Sequence, residues 1–348
     1  MAKTLLKRLA LTALLVSLSV PASALEPRTL TVTPTASWGH AETSMILPPR
    51  VGGLVRERIE DNTQDESDVY ATYIDRENHV IALVYIYRTG AGDVPLWFDR
   101  TVATIMLPQT GATPPVIAGF TRPGASLASG LRAEMSDNVA GMRSTAVAIA
   151  PLAPGWLIKI RLGAAQLDPA ALGERLTAFV AALRWPAEAP GARIATPIEP
   201  CPTPLQLRQA RIVRTDGANV LMDSIIQSMP RDPDRSVGPP PVYCREPGAT
   251  IERGVYRANR STQAYLIGVS DTGLAIGVGD ASGLSALLGR NDGPRYSVTL
   301  FERNGTSTYP SFNRLPPPEQ AFALVANGRP LSSSSGNNLT ISTDALGR

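Results

Sequence analysis

Four side chains limit the chemistry that this sequence supports: Cys201, Cys244, His40 and His79 are its only cysteines and histidines. A zinc site needs about four ligands, and these four residues are far apart along the chain. A cysteine nucleophile needs a histidine partner, but both histidines belong to segments distant from either cysteine. Neither a C-x-x-C redox motif nor a G-x-S-x-G nucleophile elbow occurs. We therefore predict no catalytic, metal-binding or cofactor-binding residues.

The two cysteines are instead predicted to form a disulfide. The N-terminal sequence predicts export to an oxidising compartment. In such a compartment, an even number of cysteines indicates disulfide pairing. Cys201 lies between two prolines, and three prolines closely precede Cys244. Closing this loop of 44 residues (201 to 244 inclusive) would stabilise the chain by about 4 kcal/mol on the chain-entropy account.

A glycine pattern, Gly277-x-Gly279-x-x-x-Gly283, follows an apolar segment. Its spacing differs from the G-x-G-x-x-G of dinucleotide-binding folds, and the preceding strand is expected to belong to a hairpin. Glu302, near the position of a ribose-binding acid, does not change this interpretation. We interpret the pattern as a glycine-rich turn and predict no cofactor.

Two groups of carboxylates are candidates for a functional site. Residues 60–68 are rich in oxygen ligands but lack the order of an EF-hand loop, so a solvated loop is predicted. Asp271 and Asp280 lie at opposite ends of a predicted strand, which is too far apart for a glycosidase pair. Aromatic residues, which line sugar clefts, make up only 5% of the chain.

Residues 1–24 have the three parts of a secretory signal peptide: a basic start, an apolar run and a small-x-small site ending at Ala24. We therefore predict cleavage after Ala24 and a periplasmic or secreted location. The formal net charge of +3 falls to zero without this segment, which argues against nucleic-acid binding. No later segment is apolar enough for stable membrane insertion.

The sequence pattern of the remaining chain predicts an α+β protein with antiparallel sheets and few helices. It has two domains, which a Pro-rich linker joins. The predicted boundaries are an extended arm at 25–48, domain 1 at 49–187, the linker at 188–200, domain 2 at 201–331 with the disulfide, and a flexible tail at 332–348.

In domain 1, apolar runs predict strands at 69–74 and 79–87 around a turn, and paired strands at 142–150 and 156–162. Asp168-Pro169 opens the clearest helix, because Asp is a good N-cap and Pro suits the first helical position. A second helix is predicted at 95–107.

In domain 2, the pattern predicts a hairpin of 264–269 and 274–278, a strand at 296–301 and a helix at 316–327. A short strand is predicted at 211–214, and 217–229 fits either helix or strand.

The first domain resembles uncharacterised exported bacterial proteins in Arg50-Val51-Gly52-Gly53-Leu54, in Val84-Tyr85-Ile86-Tyr87-Arg88, and in the Trp156 strand with the helix ending at Trp185. Its element order is also similar to the PsbP/Mog1-like α/β sandwich. The resemblance implies an accessory or assembly role and no catalytic residues.

Two functions remain open. The first is a non-catalytic module of the cell envelope that binds an envelope protein or a small ligand. The second is a periplasmic hydrolase with dispersed catalytic residues, which requires a pocket where Asp, Glu, Ser or His side chains converge. The missing motifs favour the first, and the junction of the two domains is the expected binding surface.

Overall fold

The computed structural model describes residues 26–109, 114–137, 141–188, 191–213, 241–281, 293–336 and 338–342. These residues form mostly antiparallel β-sheet, with three helices among them. The elements before residue 190 are β1 (Arg28–Thr29), β2 (Trp38–Gly39), β3 (Ile46–Leu47), β4 (Arg50–Val51), β5 (Leu54–Asp61), β6 (Asp68–Asp75), β7 (Val80–Arg88), α1 (Val94–Met106), β8 (Val116–Phe120), β9 (Gly130–Ser136), β10 (Ser144–Ala153), β11 (Trp156–Ala164) and α2 (Pro169–Ala182).

The elements after residue 190 are β12 (Glu199–Pro200), β13 (Tyr243–Arg245), β14 (Arg253–Ala258), β15 (Ala264–Val269), β16 (Ala275–Asp280), β17 (Tyr296–Phe301), β18 (Gly305–Phe312), α3 (Pro318–Asn327), β19 (Ser332–Ser335) and β20 (Asn338–Ile341). They form a second sheet whose strands follow one another in sequence order from β12 to β20. Only β12 pairs in parallel with its neighbour.

The first sheet has the order β1-β5-β6-β7-β11-β10-β9-β8, with β4 paired to β5. Its central strand β7 is buried at most positions, as its apolar run predicts. The β6–β7 hairpin, the β10–β11 pair and the β15–β16 hairpin all form in the predicted places. Antiparallel sheets are therefore confirmed as the main architecture.

Two of the helices begin directly after a capping aspartate. The Asp168 carboxylate accepts a hydrogen bond from Ala171 N at 2.9 Å, and α2 starts at Pro169. Asp93 caps α1 in the same way through Leu96 N at 3.3 Å. In both cases the side chain satisfies an amide that has no partner inside the helix.

Each helix covers a different apolar surface. Helix α2 packs Leu172, Leu176 and Phe179 against one face of the first sheet. Helix α1 contacts β9 and β10 of the first sheet and also β14 and β15 of the second. Its buried Trp97 belongs to a cluster that includes Tyr256 of the second sheet. The two sheets thus share a hydrophobic cluster around α1.

The third cluster lies on the second sheet, where α3 packs through Ala321 against a face that includes Ile267 and Phe312. Among the described residues before β12, 191–198 has no strand or helix. Of the strand predicted at 211–214, the structure shows only a bridge between Ile212 and Phe312. The segment 217–229 lies outside the described residues.

The ends of the chain differ from the sequence-based expectation. Within the predicted arm, His40, Met45 and Leu47 are buried, so this segment packs against the core. Within the predicted flexible tail, β19 pairs with β18, and β20 pairs with β19. Serine hydroxyls support this pairing, with Ser334 Oγ 2.8 Å from Thr306 Oγ1. A serine-rich composition gives little strand signal, because the stabilising contacts come from cross-strand partners distant in sequence.

Candidate anion-binding groove

The predicted disulfide between Cys201 and Cys244 is present, and both residues are buried. It joins the end of β12 to β13, where Cys201 N also donates to Arg245 O at 2.8 Å. The chain that leaves Cys201 has no regular secondary structure up to residue 210. The disulfide therefore fixes the start of an irregular segment against the second sheet.

This irregular segment forms one wall of a groove with a cavity volume of about 490 Å³. The opposite wall comes from the turn between β14 and β15 and from the residues after β18. The lining residues are Thr203, Pro204, Leu205, Gln206, Leu207, Arg208, Arg257, Thr262, Gln263, Arg314 and Leu315. These described lining residues include three arginines and no acid, histidine or serine.

Arg257 forms the buried back of the groove. Its Nε lies 2.7 Å from Glu246 Oε1 and 3.3 Å from Cys201 Sγ, and its Nη2 donates to Thr203 O. Glu246 Oε2 in turn accepts a hydrogen bond from Leu205 N at 2.9 Å. Because Glu246 neutralises Arg257, this pair holds the wall in place and adds little net charge to the groove.

Arg208 and Arg314 carry the net charge of the groove. Both are exposed, and within the described part of the chain neither forms a hydrogen bond or ion pair. Positive charge in a concave surface attracts anions, and guanidinium groups bind phosphate or carboxylate in a bidentate way. The arrangement therefore suits an anion with more than one negative group.

Polar side chains complete the rim. Gln206, Thr262 and Gln263 are exposed and can donate or accept hydrogen bonds. Tyr296 Oη donates to Gln263 Oε1, which orients that amide. Leu207 and Leu315 add apolar surface. The groove thus offers two cations, several hydrogen-bonding groups and a small apolar area.

Neither of the two histidines lines the groove. His40 is buried, with Nδ1 2.9 Å from Thr43 Oγ1 and Nε2 3.0 Å from Glu66 O. Because a carbonyl only accepts, Nε2 carries the hydrogen and both ring nitrogens are engaged. His79 is exposed in the β6–β7 turn with φ of 50°. Neither histidine is near Cys201 or Cys244, and neither lines a cavity described here.

The acidic run at 60–68 is less solvated than expected. Asp61 is fully buried, and its carboxylate accepts from Thr63 N at 2.8 Å and from Arg28 Nη2 at 3.0 Å. Asp68 pairs with Arg303 of the second sheet at 2.6 Å. The run thus ties the arm and the two sheets together.

The glycine pattern also differs from its sequence interpretation. Gly277 and Gly279 lie inside β16, between β15 and β17, and form no turn. Phe301 explains one of them, since a Cβ on Gly277 would lie 2.6 Å from its ring. Glu302, the other candidate of this pattern, accepts from Ser307 Oγ at 3.0 Å. Gly283 lies outside the described residues.

At the junction of the sheets, polar side chains pair with one another. Lys159 Nζ lies 2.7 Å from Asp271 Oδ2 and 4.4 Å from the centre of the Tyr85 ring. Burial favours the neutral acid, but Lys159 and, more weakly, Arg161 outweigh it and hold the pKa of the Asp271 carboxyl below its ordinary value. Asp280 is at the far end of β16.

The junction was the expected binding surface, but neither of the two cavities described here lies there. The groove instead combines Arg208, Arg257 and Arg314, which are separated by about fifty residues each. No local motif marks them, so only the fold reveals their proximity.

Among the described residues, no cluster of three or more His, Cys, Asp or Glu side chains is placed to hold a metal ion. In the same part of the chain, no helix combines the length and apolar character needed to span a membrane. In comparisons with known proteins, no family model, no curated protein and no solved structure matches this chain.

Proposed function

We propose that this protein is an exported, non-catalytic binding protein of the bacterial cell envelope whose groove binds a small polyanionic ligand. One observation carries the proposal: Arg208 and Arg314 face a shared groove, and none of the described residues that line it is acidic. The ligand class that fits is a small molecule with at least two phosphate or carboxylate groups, one for each exposed guanidinium.

The geometry favours binding over hydrolysis. A hydrolase needs Asp, Glu, Ser or His side chains that converge on a cavity. In the part of the chain that the structure describes, the groove and the cavity beside α2 are lined by arginine, threonine, glutamine and apolar residues, and none of these lining residues is Asp, Glu, Ser or His. Arginine stays protonated and supplies no general base.

Export is supported by the signal-like N-terminus and by the disulfide, which is compatible with an oxidising compartment. We further propose that each sheet is the core of one domain, with the proline-rich segment near 188–200 as the linker. The resemblance of the first domain's predicted element order to the PsbP/Mog1-like sandwich implies an accessory role, and we propose that role here.

The test is isothermal titration calorimetry at low ionic strength, in which inorganic pyrophosphate is titrated into the protein that lacks residues 1–24. We expect one site, and we expect the double variant Arg208→Gln/Arg314→Gln to bind about tenfold more weakly. The matched control is Arg50→Gln/Arg329→Gln, which removes the same charge from exposed positions outside the groove.

Equal affinities of the groove variant and the control variant would show that binding is only a response to net charge, and would overturn the proposal. The same samples are assayed for released orthophosphate. We expect none above the buffer rate, whereas release that depends on the protein would support the hydrolase.

A further inference from the structure

A second cavity, of about 240 Å³, lies between α2 and the edge of the first sheet. It is formed by the residues that follow β8, by Arg132 of β9, by Ala148 of β10 and by one side of α2. Thr121, Pro123 and Thr177 are exposed at its border, so the cavity opens to solvent. Its described lining is mainly apolar and, as in the groove, contains arginines but no acid.

The two arginines of this cavity differ in their partners. Arg132 pairs with Glu134 and also donates to Thr177 Oγ1 at 2.7 Å. Arg122 is 2% exposed, and within the described residues it forms no ion pair with a carboxylate. Glu188 directs its carboxylate to Ser126 and Leu127 instead. Arg122 is therefore a buried cation without a contacting counter-ion in the part of the chain that the structure describes.

Backbone carbonyls satisfy only part of the Arg122 guanidinium. Nη1 donates to Pro186 O at 2.9 Å, and Nη2 donates to Ala187 O at 2.9 Å. Nε is buried and has no hydrogen-bond partner. The guanidinium carbon lies 5.4 Å from the centre of the Trp185 ring. Glu188 attracts Arg122 through space without contacting it. A buried guanidinium with no contacting carboxylate and an unpaired donor is still costly, and an anion bound beside it would offset that cost.

From the buried Arg122, whose Nε has no partner among the described residues, and from the apolar walls, we propose that this cavity binds a small amphipathic carboxylate. The carboxylate pairs with Arg122, and an apolar tail of the size of a medium-chain acyl group fills the space beside Ala148, Leu176 and Val180. An apolar cavity of about 150 Å³ already holds a benzene ring, so this cavity is large enough for such a tail. The proposal does not depend on the groove.

The test is calorimetric titration with sodium octanoate, with 1-octanol as the uncharged analogue and Trp185 fluorescence as a second readout. We expect one octanoate per chain and an affinity for octanol at least about tenfold lower, since octanol cannot form the ion pair. Arg122→Gln should lower octanoate affinity by about the same factor and leave octanol binding unchanged.

A cavity-filling variant keeps the test valid if Arg122→Gln is unstable. Ala181 and Ala182 are both exposed on α2, but only Ala181 lines the cavity. Ala181→Phe should therefore block octanoate, and Ala182→Phe should bind it as the original chain does. Absence of octanoate binding, equal binding of octanol, or equal effects of the two phenylalanines would overturn the proposal. Failure in these experiments leaves the pyrophosphate result unaffected.

Discussion

Replacing Arg100 should weaken the connection between the two sheets. Arg100 belongs to α1 and is fully buried. Its Nε donates to Ser270 O at 2.8 Å, and its Nη2 donates to Thr250 O at 3.0 Å and to Ile251 O at 2.8 Å. One side chain from the first half of the sequence thus holds two turns of the second sheet.

The expected magnitude follows from these three bonds. A hydrogen bond to a charged group contributes about 1.5 to 3 kcal/mol, and the lower value applies because water can replace arginine at partly exposed turn carbonyls. Arg100→Met keeps most of the apolar contact and no longer buries a cation, which offsets part of the loss. We expect the free energy of unfolding to fall by about 3 to 4 kcal/mol.

The assay is urea unfolding followed by tryptophan fluorescence and by far-ultraviolet circular dichroism. All four tryptophans precede residue 186, so fluorescence reports on the first sheet and on α1, whereas dichroism reports on both sheets. The two transitions should coincide in the original chain and separate in Arg100→Met. Arg76→Met is the control, because the Arg76 side chain is 81% exposed, and it should cost less than about 0.5 kcal/mol.

The reasoning would be refuted if the free energies of unfolding of Arg100→Met and Arg76→Met differed by less than about 1 kcal/mol and the two transitions of Arg100→Met coincided. The three hydrogen bonds would then not join the sheets. Arg100→Lys gives a second measurement, because an ammonium cannot reach both turns as a guanidinium does. Its stability should lie between those of the original chain and Arg100→Met.

Three further predictions concern the junction and the disulfide. Gly90→Ala should destabilise by about 2 kcal/mol or more in urea unfolding, because a Cβ there would lie 2.3 Å from Phe301 O, whereas Gly39→Ala, with open space around it, should change little. Asp271→Asn should lower the free energy of unfolding by about 1 to 2 kcal/mol at pH 7. Because the folded-state pKa of Asp271 is lowered, its carboxylate stabilises the fold above the ordinary pKa, and this stabilisation is lost as the pH falls through the lowered pKa. A difference in stability between Asp271→Asn and the original chain that persists unchanged below about pH 3 would refute this prediction. Replacing both disulfide cysteines by alanine should cost about 4 kcal/mol and weaken pyrophosphate binding, and equal stability with and without the disulfide would contradict the loop-closure argument.

The local elements were predictable because their signals are local. Asp168 and Pro169 predict the start of α2, and the apolar run at 79–87 matches β7 within one residue at each end. Such elements follow from capping, turn chemistry and periodicity, which act over a few residues. The same reasoning correctly paired the hairpins, since adjacent antiparallel strands need only a short turn.

The contacts between distant segments were not predictable in the same way. Asp99 lies in α1 with the sequence pattern of an exposed residue, yet it accepts a hydrogen bond from Tyr256 Oη at 2.6 Å and pairs with Arg245. Burial raises the pKa of the Asp99 carboxyl, against the attraction of Arg245. A period of 3.6 residues identifies the faces of a helix but not the residue from another sheet that meets a polar group there.

The candidate site shows the same limit. The disulfide was predicted because oxidising compartments pair cysteines and the chain has two. The groove beside the disulfide was not predicted, because only the folded structure brings Arg208 and Arg314 to a shared concave surface. Arginines are common on protein surfaces. Whether such an arginine has a partner among the described residues can be seen only in the three-dimensional structure.

Lys159 makes the protein unusually simple to label. Beyond residue 7 it is the only lysine in the chain, and its side chain is 8% exposed. If residues 1–24 are removed, amine-reactive esters should modify the folded protein almost only at its new α-amino group. Acylation of Lys159 would then require the two sheets to separate, so mass spectrometry of a single tryptic region measures how often the junction opens.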